Sequence, residues 1–287
     1  LLARADDLQY DMWALAGATA GRPLSALAFF LFQRQGLLKH FRIKPLKIIR
    51  LLRAIEAGYS SENPYHNATH AADVLRTTHV LAHAAGVTVH HVDTLGLMAL
   101  YFSAIIHDFG HPGLTGDFLV ATSHPLALRY NDRSPLENHH ASAAFTLMAE
   151  RPELDAFEGL SREQRIAFRK QVVELVMGTD MKQHFALLSQ FTNAAAAVPA
   201  PPPLPPADES QRLLALQICL KVADIGHLAG TLPVHKRWLG VLEEEFFRQG
   251  DKEREAGLPI SPLFDRAKQG VSKSQVGFFE FVALPLV

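Results

Sequence analysis

The chain has 287 residues, 48% hydrophobic and 20% charged, with a formal net charge of −1. That composition is ordinary for a globular protein of one large domain or two small ones. It leaves no global field for nucleic acid or an anionic membrane. One cysteine, Cys219, excludes a disulfide framework and a cysteine-based zinc site; in its apolar helical run it reads as a packed core thiol. The longest apolar stretches are broken by His, Arg or Asp short of a membrane span, and no signal peptide is visible, so a cytoplasmic location is expected. The chain begins at Leu1 and ends at Val287. It is expected to be part of a longer protein whose other parts carry targeting and regulatory domains, with membrane attachment of the parent left open.

In chain order, Asp7 to Tyr59 reads as short scaffold helices. Leu24, Leu27, Phe30 and Leu31 recur at helical spacing after Pro23, a first-turn residue. A second helix is expected over 45–57, with Leu46, Ile49, Leu52 and Ile55 on one face and Gly58 at its end. A third is expected from about His66 to Ala84. It would put His66 and His70 one turn apart, a metal-binding spacing. The Glu that follows the first His in a zincin is replaced by Asn67, which counts against a metalloprotease. His79, His83, His90 and His91 read as surface or capping histidines.

The apolar run Leu95 to Ile106 delivers His107 and Asp108 at its end, with His111 just beyond and Pro112-Gly113 as a stop. Imidazoles and a carboxylate at the end of a buried helix call for compensation, and a divalent metal supplies it. Asp108, having two oxygens, can bridge two metals. Glu137, His139 and His140 start another helix. They either face that site or form a solvated helix start. A long helix is expected over Ser161 to His184, with Ser161 and Gln164 as a capping box. Residues 194–208 are Ala- and Pro-rich, which forbids regular structure. Gln211 to Val222 is helical and ends in Ala223-Asp224, repeating the arrangement at Asp108. If Asp224 joins the metal ligands, the Pro-rich stretch is an insertion within one domain, 1–287. Trp238, Leu239, Val241, Leu242, Phe246 and Phe247 mark a helix that Gly250 ends. A polar loop over 251–273 and a short apolar helix over 274–282 follow. No strand alternation and no phosphate-binding Gly-rich loop is seen.

Tyr65-His66-Asn67 with His70-Ala71-Ala72-Asp73-Val74, His107-Asp108 with His111-Pro112-Gly113, Leu136-Glu137-Asn138-His139-His140, Thr179-Asp180-Met181, Ala223-Asp224, Glu244 to Asp251, and Ser274 to Phe278 stand in one order. That order resembles the class I 3′,5′-cyclic nucleotide phosphodiesterase catalytic domain over nearly the whole chain. The resemblance implies an all-α, compact multi-helix bundle with a two-metal site. His70, His107, Asp108 and Asp224 would hold zinc. Asp108 would also reach a second metal, magnesium or manganese, whose waters His111 and Glu137 would hold. These donor types suit the two ions. A metal-bridging hydroxide would attack phosphorus, and His66 would protonate the leaving O3′. The product would be a nucleoside 5′-monophosphate.

Gln275 resembles the family's purine-binding glutamine, whose amide suits adenine one way round and guanine the other. Phe278 and Leu242 would flank the base. Without the resemblance, Phe278 reads as core and Gln275 as a solvated helix start. Gly110 and Gly116 depart from the polar residues common in relatives, which implies altered surroundings of the metals rather than a dead site. His227 and the 257–262 run resemble the calmodulin-stimulated, dual-specificity branch, so cyclic GMP and cyclic AMP are the expected substrates. Two alternatives stand beside this: another His-Asp metal-dependent phosphohydrolase, and a catalytically silent cyclic-nucleotide-binding module.

Overall fold

Capping side chains and first-turn prolines mark many of the helix starts. Asp11 accepts from the amides of Trp13 and Ala14 to start α1 (Met12–Ala18), and Pro23 takes the first position of α2 (Pro23–Arg34). Asp93 caps α6 (Thr94–Ile106), and Asp208 caps α12 (Glu209–Asp224). The expected capping box of Ser161 and Gln164 is formed at α10 (Arg162–Met177). The computed structural model describes residues 1–84, 92–196, 208–268 and 271–286, and among them it is all helical, with no strand. The remaining helices are α3 (Leu37–His40), α4 (Pro45–Gly58), α5 (Ala68–Ala84), α7 (Gly116–Ala121), α8 (Pro125–Arg129), α9 (Pro135–Glu150), α11 (His184–Ala196), α13 (Leu232–Glu255), α14 (Val271–Phe278) and α15 (Leu284–Leu286). A π turn, Phe279–Ala283, joins the last two.

The core is built around α6, whose residues from Met98 to Ile106 are all buried. A helix apolar on every side needs neighbours on every side, and α5, α10 and α2 supply them. This sets the position of the site: the hydrophobic rod ends where His107 and Asp108 begin. Its last turn is tied to α4 by the Tyr59 hydroxyl, which donates to the Ile105 carbonyl at 2.8 Å. Cys219 is buried, as expected, and burial pushes its thiol up to about 12.

Several expectations are corrected. α5 starts at Ala68 rather than His66, because the Asn67 side chain accepts from the amides of Thr69 and His70 and acts as the cap. The buried face of α4 is Ile48, Leu51, Leu52 and Ile55, while Leu46 is 69% exposed. Two stripes of that helix satisfy the same period. Burial of Glu56, whose carboxylate accepts from the amides of Leu24 and Ser25 at the start of α2, selects between them. His79 is fully buried, not a surface residue; its ring bonds the Tyr101 hydroxyl and Asp6. The expected helix from Ser161 to His184 breaks at Gly178, and Asp180 caps a new turn by accepting from Lys182. His90, His91 and most of the 194–208 stretch lie outside the described residues.

Gly250 does not end its helix; α13 continues to Glu255. A Cβ there would lie 1.9 Å from the Phe264 carbonyl oxygen, so the glycine serves close approach rather than termination. The chain after α13 folds back over it. Phe264 stacks on Phe246 at 4.4 Å, and Ser261 donates its amide and hydroxyl to Glu253, each at 2.7 Å. The polar loop expected over 251–273 is therefore helix to Glu255, then a packed return segment through residue 268, with α14 beginning at Val271.

Candidate active site

Four side chains from three helix ends meet at one point. His70 comes from the first turn of α5, His107 and Asp108 follow α6, and Asp224 ends α12. His107 Nε2 lies 3.1 Å from Asp108 Oδ2 and 3.3 Å from Asp224 Oδ1. His70 Nε2 lies 3.4 and 3.2 Å from the same two oxygens, and the two Nε2 atoms are 3.3 Å apart. Bonds of about 2.0–2.1 Å to a tetrahedral ion require donor separations of about 3.3 Å. His107 Nδ1 donates to the Ala104 carbonyl at 2.9 Å, which leaves Nε2 with its lone pair facing the cluster. The four expected ligands thus fit a divalent cation in spacing and in donor chemistry.

A second group of polar side chains lies beyond Asp108. His140, buried in α9, donates Nδ1–H to the Phe109 carbonyl at 2.9 Å. Its Nε2 is therefore an acceptor, yet it faces Asp108 Oδ1 at 3.7 Å. Two acceptors facing each other call for a cation or a water between them. His111 closes the same corner: its Nδ1 accepts from the Gly113 amide at 2.9 Å, so Nε2 carries the proton. Gly110, at φ 73°, makes the tight turn that swings His111 back beside Asp108. Candidate donor atoms of Asp108, His111 and His140 lie within 4.8 Å of one another; with Nε2 protonated, His111 can serve an ion there only through a water. Glu137 lines the adjoining cavity of about 290 Å³, and burial, helped by the charge of Asp180, pushes its carboxyl up to about 7. Sequence reasoning left His140 between two readings, and the buried one holds.

His66 is not on the helix of His70 but just before its cap, with ring centroids 5.8 Å apart. It is bonded through Nδ1 to Glu245 of α13. The other oxygen of Glu245 accepts from the Tyr65 and His66 amides at 2.9 and 3.0 Å. Burial lowers the His66 pKa, but the charges of Glu245 and Asp108 outweigh it and raise it to about 9. Burial raises Glu245, and the charge of His66 overrides it to about 2. An imidazolium stacks 4.0 Å from the His111 ring, which burial and the His66 charge hold neutral. Asn63 ties the two turns together, its amide donating to the carbonyls of His66 and His111. Glu245 and Asn63 have no site role in the sequence reading. A carboxylate 179 residues from its histidine gives no local signal.

Gln275, Phe278 and Leu242 come together in a neighbouring cavity of about 970 Å³, also lined by Tyr65, His227 and Phe246. Phe246 lines both cavities. Gln275 Oε1 is buried with no hydrogen-bond partner among the described residues, an uncompensated acceptor of the kind that a ligand satisfies. Gln275 is therefore a cavity residue and not a solvated helix start. No single described helix is long and apolar enough to cross a membrane.

The family described as "3'5'-cyclic nucleotide phosphodiesterase" matches residues 65–287. The mouse (Mus musculus) dual specificity calcium/calmodulin-dependent 3',5'-cyclic nucleotide phosphodiesterase 1C is 41% identical over 98% of this chain and 38% of its own length. The Chinese hamster (Cricetulus griseus) 1B counterpart is 39% identical over 96% of the chain and 50% of its own. The rat (Rattus norvegicus) 3',5'-cyclic-AMP phosphodiesterase 4C is 38% identical over 96% and 52%. The chain thus spans between about a third and a half of the length of these relatives.

Proposed function

Since the chain belongs to the 3′,5′-cyclic nucleotide phosphodiesterase family, we propose that it hydrolyses the 3′ phosphoester of cyclic AMP and cyclic GMP to nucleoside 5′-monophosphates. The observation that carries this is one juxtaposition. A four-donor cluster that reaches one cavity through Asp108 and Asp224, His66 in the same cavity, and Gln275 with its amide oxygen unpaired among the described residues in a second cavity are brought together where the two cavities share Phe246.

His70, His107, Asp108 and Asp224 would hold zinc, and the free oxygen of Asp108 would reach magnesium or manganese. When bound, the ions neutralise phosphate charge and make a water acidic enough to attack at neutral pH. The remaining tasks fall to the chain. Glu245 holds His66 by Nδ1, which leaves Nε2–H free to act in the cavity that His66 lines. As the P–O3′ bond breaks, its electron pair stays on O3′ and takes the Nε2 proton, leaving His66 neutral. His111 offers Nε2–H, and Glu137, when ionised, a carboxylate to the waters around the second ion.

Gln275 would read the purine, with Phe278 on one face and Leu242 on the other. Its amide oxygen has no partner among the described residues to lock either orientation. That supports acceptance of both adenine and guanine. Residues on both sides of 194–208 supply the site, which supports one catalytic domain over 1–287.

Initial rates on both cyclic nucleotides, with and without added magnesium, test the reading. Turnover of both, with Gln275→Ala weakening both by about 10-fold or more, is expected. Binding without turnover would convert the reading to a silent module. Undiminished affinity in Gln275→Ala would move it to another phosphohydrolase.

A further inference from the structure

Trp238 is the largest fully buried side chain among the described residues, yet it takes no part in the chemistry above. It stands behind the metal cluster. A ligating histidine ordinarily donates its remote N–H to a carboxylate or carbonyl, which fixes the ring. His107 does this with Ala104. The polar contacts that the His70 ring makes among the described residues lie instead at Nε2, on the cluster side. Aromatic packing holds its other edges: Tyr65 lies 4.5 Å away by ring centroid and Trp238 6.1 Å, edge-on. Trp238 also meets Tyr65 at 5.7 Å and His227 at 6.1 Å. Both of those residues line the larger cavity.

The other side of Trp238 is occupied by Trp13 of α1, at 4.7 Å. Trp13 is pressed down by the Arg237 guanidinium, 4.1 Å above its ring. Trp13 lies outside the 65–287 span that the family comparison matches. It closes the aromatic block from the N-terminal side.

We propose that Trp238, wedged by Trp13, is a positioning residue for His70 and thereby for the tightly bound ion, and that α1 is part of the catalytic unit for this reason. The inference rests on the metal reading of the site. Interiors are close-packed, so removing the wedge lets the ring behind it relax. A relaxed Trp238 frees the His70 ring to tilt away from the other three donors.

The test is ion retention. Wild type, Trp13→Ala, Trp13→Phe and Leu187→Ala are loaded with zinc, and release to excess EDTA is followed by sampling protein-bound zinc over time. Leu187 belongs to a separate cluster with Ile218 and Leu286 and controls for general loosening. Residues that orient a ligand typically change metal affinity about 10- to 100-fold, so Trp13→Ala is expected to release zinc about tenfold faster. Trp13→Phe keeps an aromatic face and is expected to stay within about twofold of wild type. Leu187→Ala is expected to match wild type. If Trp13→Ala does not fold, Trp13→Leu keeps apolar volume without the ring, and release about threefold faster or more is expected.

Wild-type release in a folded Trp13→Ala or Trp13→Leu protein would overturn the proposal. So would equally fast release from Leu187→Ala. Cyclic nucleotide turnover is measured on the same samples. Absent turnover with the zinc difference intact would sink the phosphodiesterase reading alone, and a wild-type chain that takes up no zinc would sink both. The only two tryptophans of the chain are this pair, so a fluorescence change on zinc loading is expected and reports on it alone.

Discussion

The carboxylate of Glu245 sets the working pH of the acid, and Glu245→Gln isolates that effect. In the protein as it stands, His66 is raised to about 9 with Glu245 the largest charge acting to raise it. Burial alone lowers an imidazole below its free value of about 6.5. The amide of Gln keeps the volume and can still accept from Nδ1, but it removes the charge. The other raising charges, Asp108 and Asp224, are largely offset once an ion sits on them. The His66 pKa in the variant is therefore expected at about 6.5 or below.

The sign follows from the role. A general acid acts protonated, so the rate falls as pH rises through its pKa. A bound ion offsets Asp108 and Asp224 in wild type and variant alike, so the two differ by the Glu245 charge: the wild-type alkaline limb is expected above the free imidazole value of about 6.5, and in Glu245→Gln it moves down to about that value or below. At pH about 7.5 the protonated fraction falls to about a tenth, equivalent to about 1.4 kcal/mol of barrier. Loss of the two amide contacts to Tyr65 and His66 adds to the deficit by loosening the ring's support. The assay is a full pH profile of kcat/KM on both cyclic nucleotides, with zinc content measured alongside. A variant whose alkaline limb stays where the wild type has it would refute the reasoning, whatever its absolute rate.

Three further outcomes are expected. His66→Ala keeps zinc and loses about 100-fold or more in turnover, whereas Asp224→Ala loses the zinc itself, by metal analysis after dialysis. The half-activating magnesium concentration rises as pH falls through about 7, because Glu137 is held up to about that value and is uncharged below it; in Glu137→Gln more magnesium is needed throughout and this dependence disappears. Gly250→Ala destabilises the protein: helix propensity favours Ala by about 1 kcal/mol, but a Cβ 1.9 Å from the Phe264 carbonyl costs about 1–3 kcal/mol or more, so the clash wins and Tm falls by several degrees.

The candidate metal donors His107, Asp108 and Asp224 were legible in the sequence because chemistry and helix ends coincide there, whereas the choice of His70 over His66 rested on the family resemblance. His107-Asp108 and Asp224 each close an apolar run, and nothing apolar explains a charged terminus. What escaped depends on partners far along the chain. Gly250 has the residue type of a helix stop, and only the return of Phe264 shows why it sits mid-helix. Glu245 is one of three consecutive glutamates, and sequence alone does not say which one faces His66. His79 looks like a surface histidine until Asp6 and Tyr101 close over it. The buried face of α4 was one of two stripes with equal periodicity, decided by a carboxylate bonding another helix.

One stripe along α13 has a consequence for how the molecule can change. Trp238 backs His70, Leu242 walls the larger cavity and Glu245 bonds His66. Gln249 exchanges hydrogen bonds with Thr115, and Glu253 holds Ser261. The successive steps are four, three, four and four residues, which keeps all five on one side over about 22 Å. A residue added or removed within this stretch would rotate everything beyond it by about 100°. Gln249 and Glu253 would then face away from their anchors while Trp238 stayed in place. The helix works as a ruler. Side chains on its other faces can be exchanged, but the count from Trp238 to Glu253 is fixed by what each end must touch.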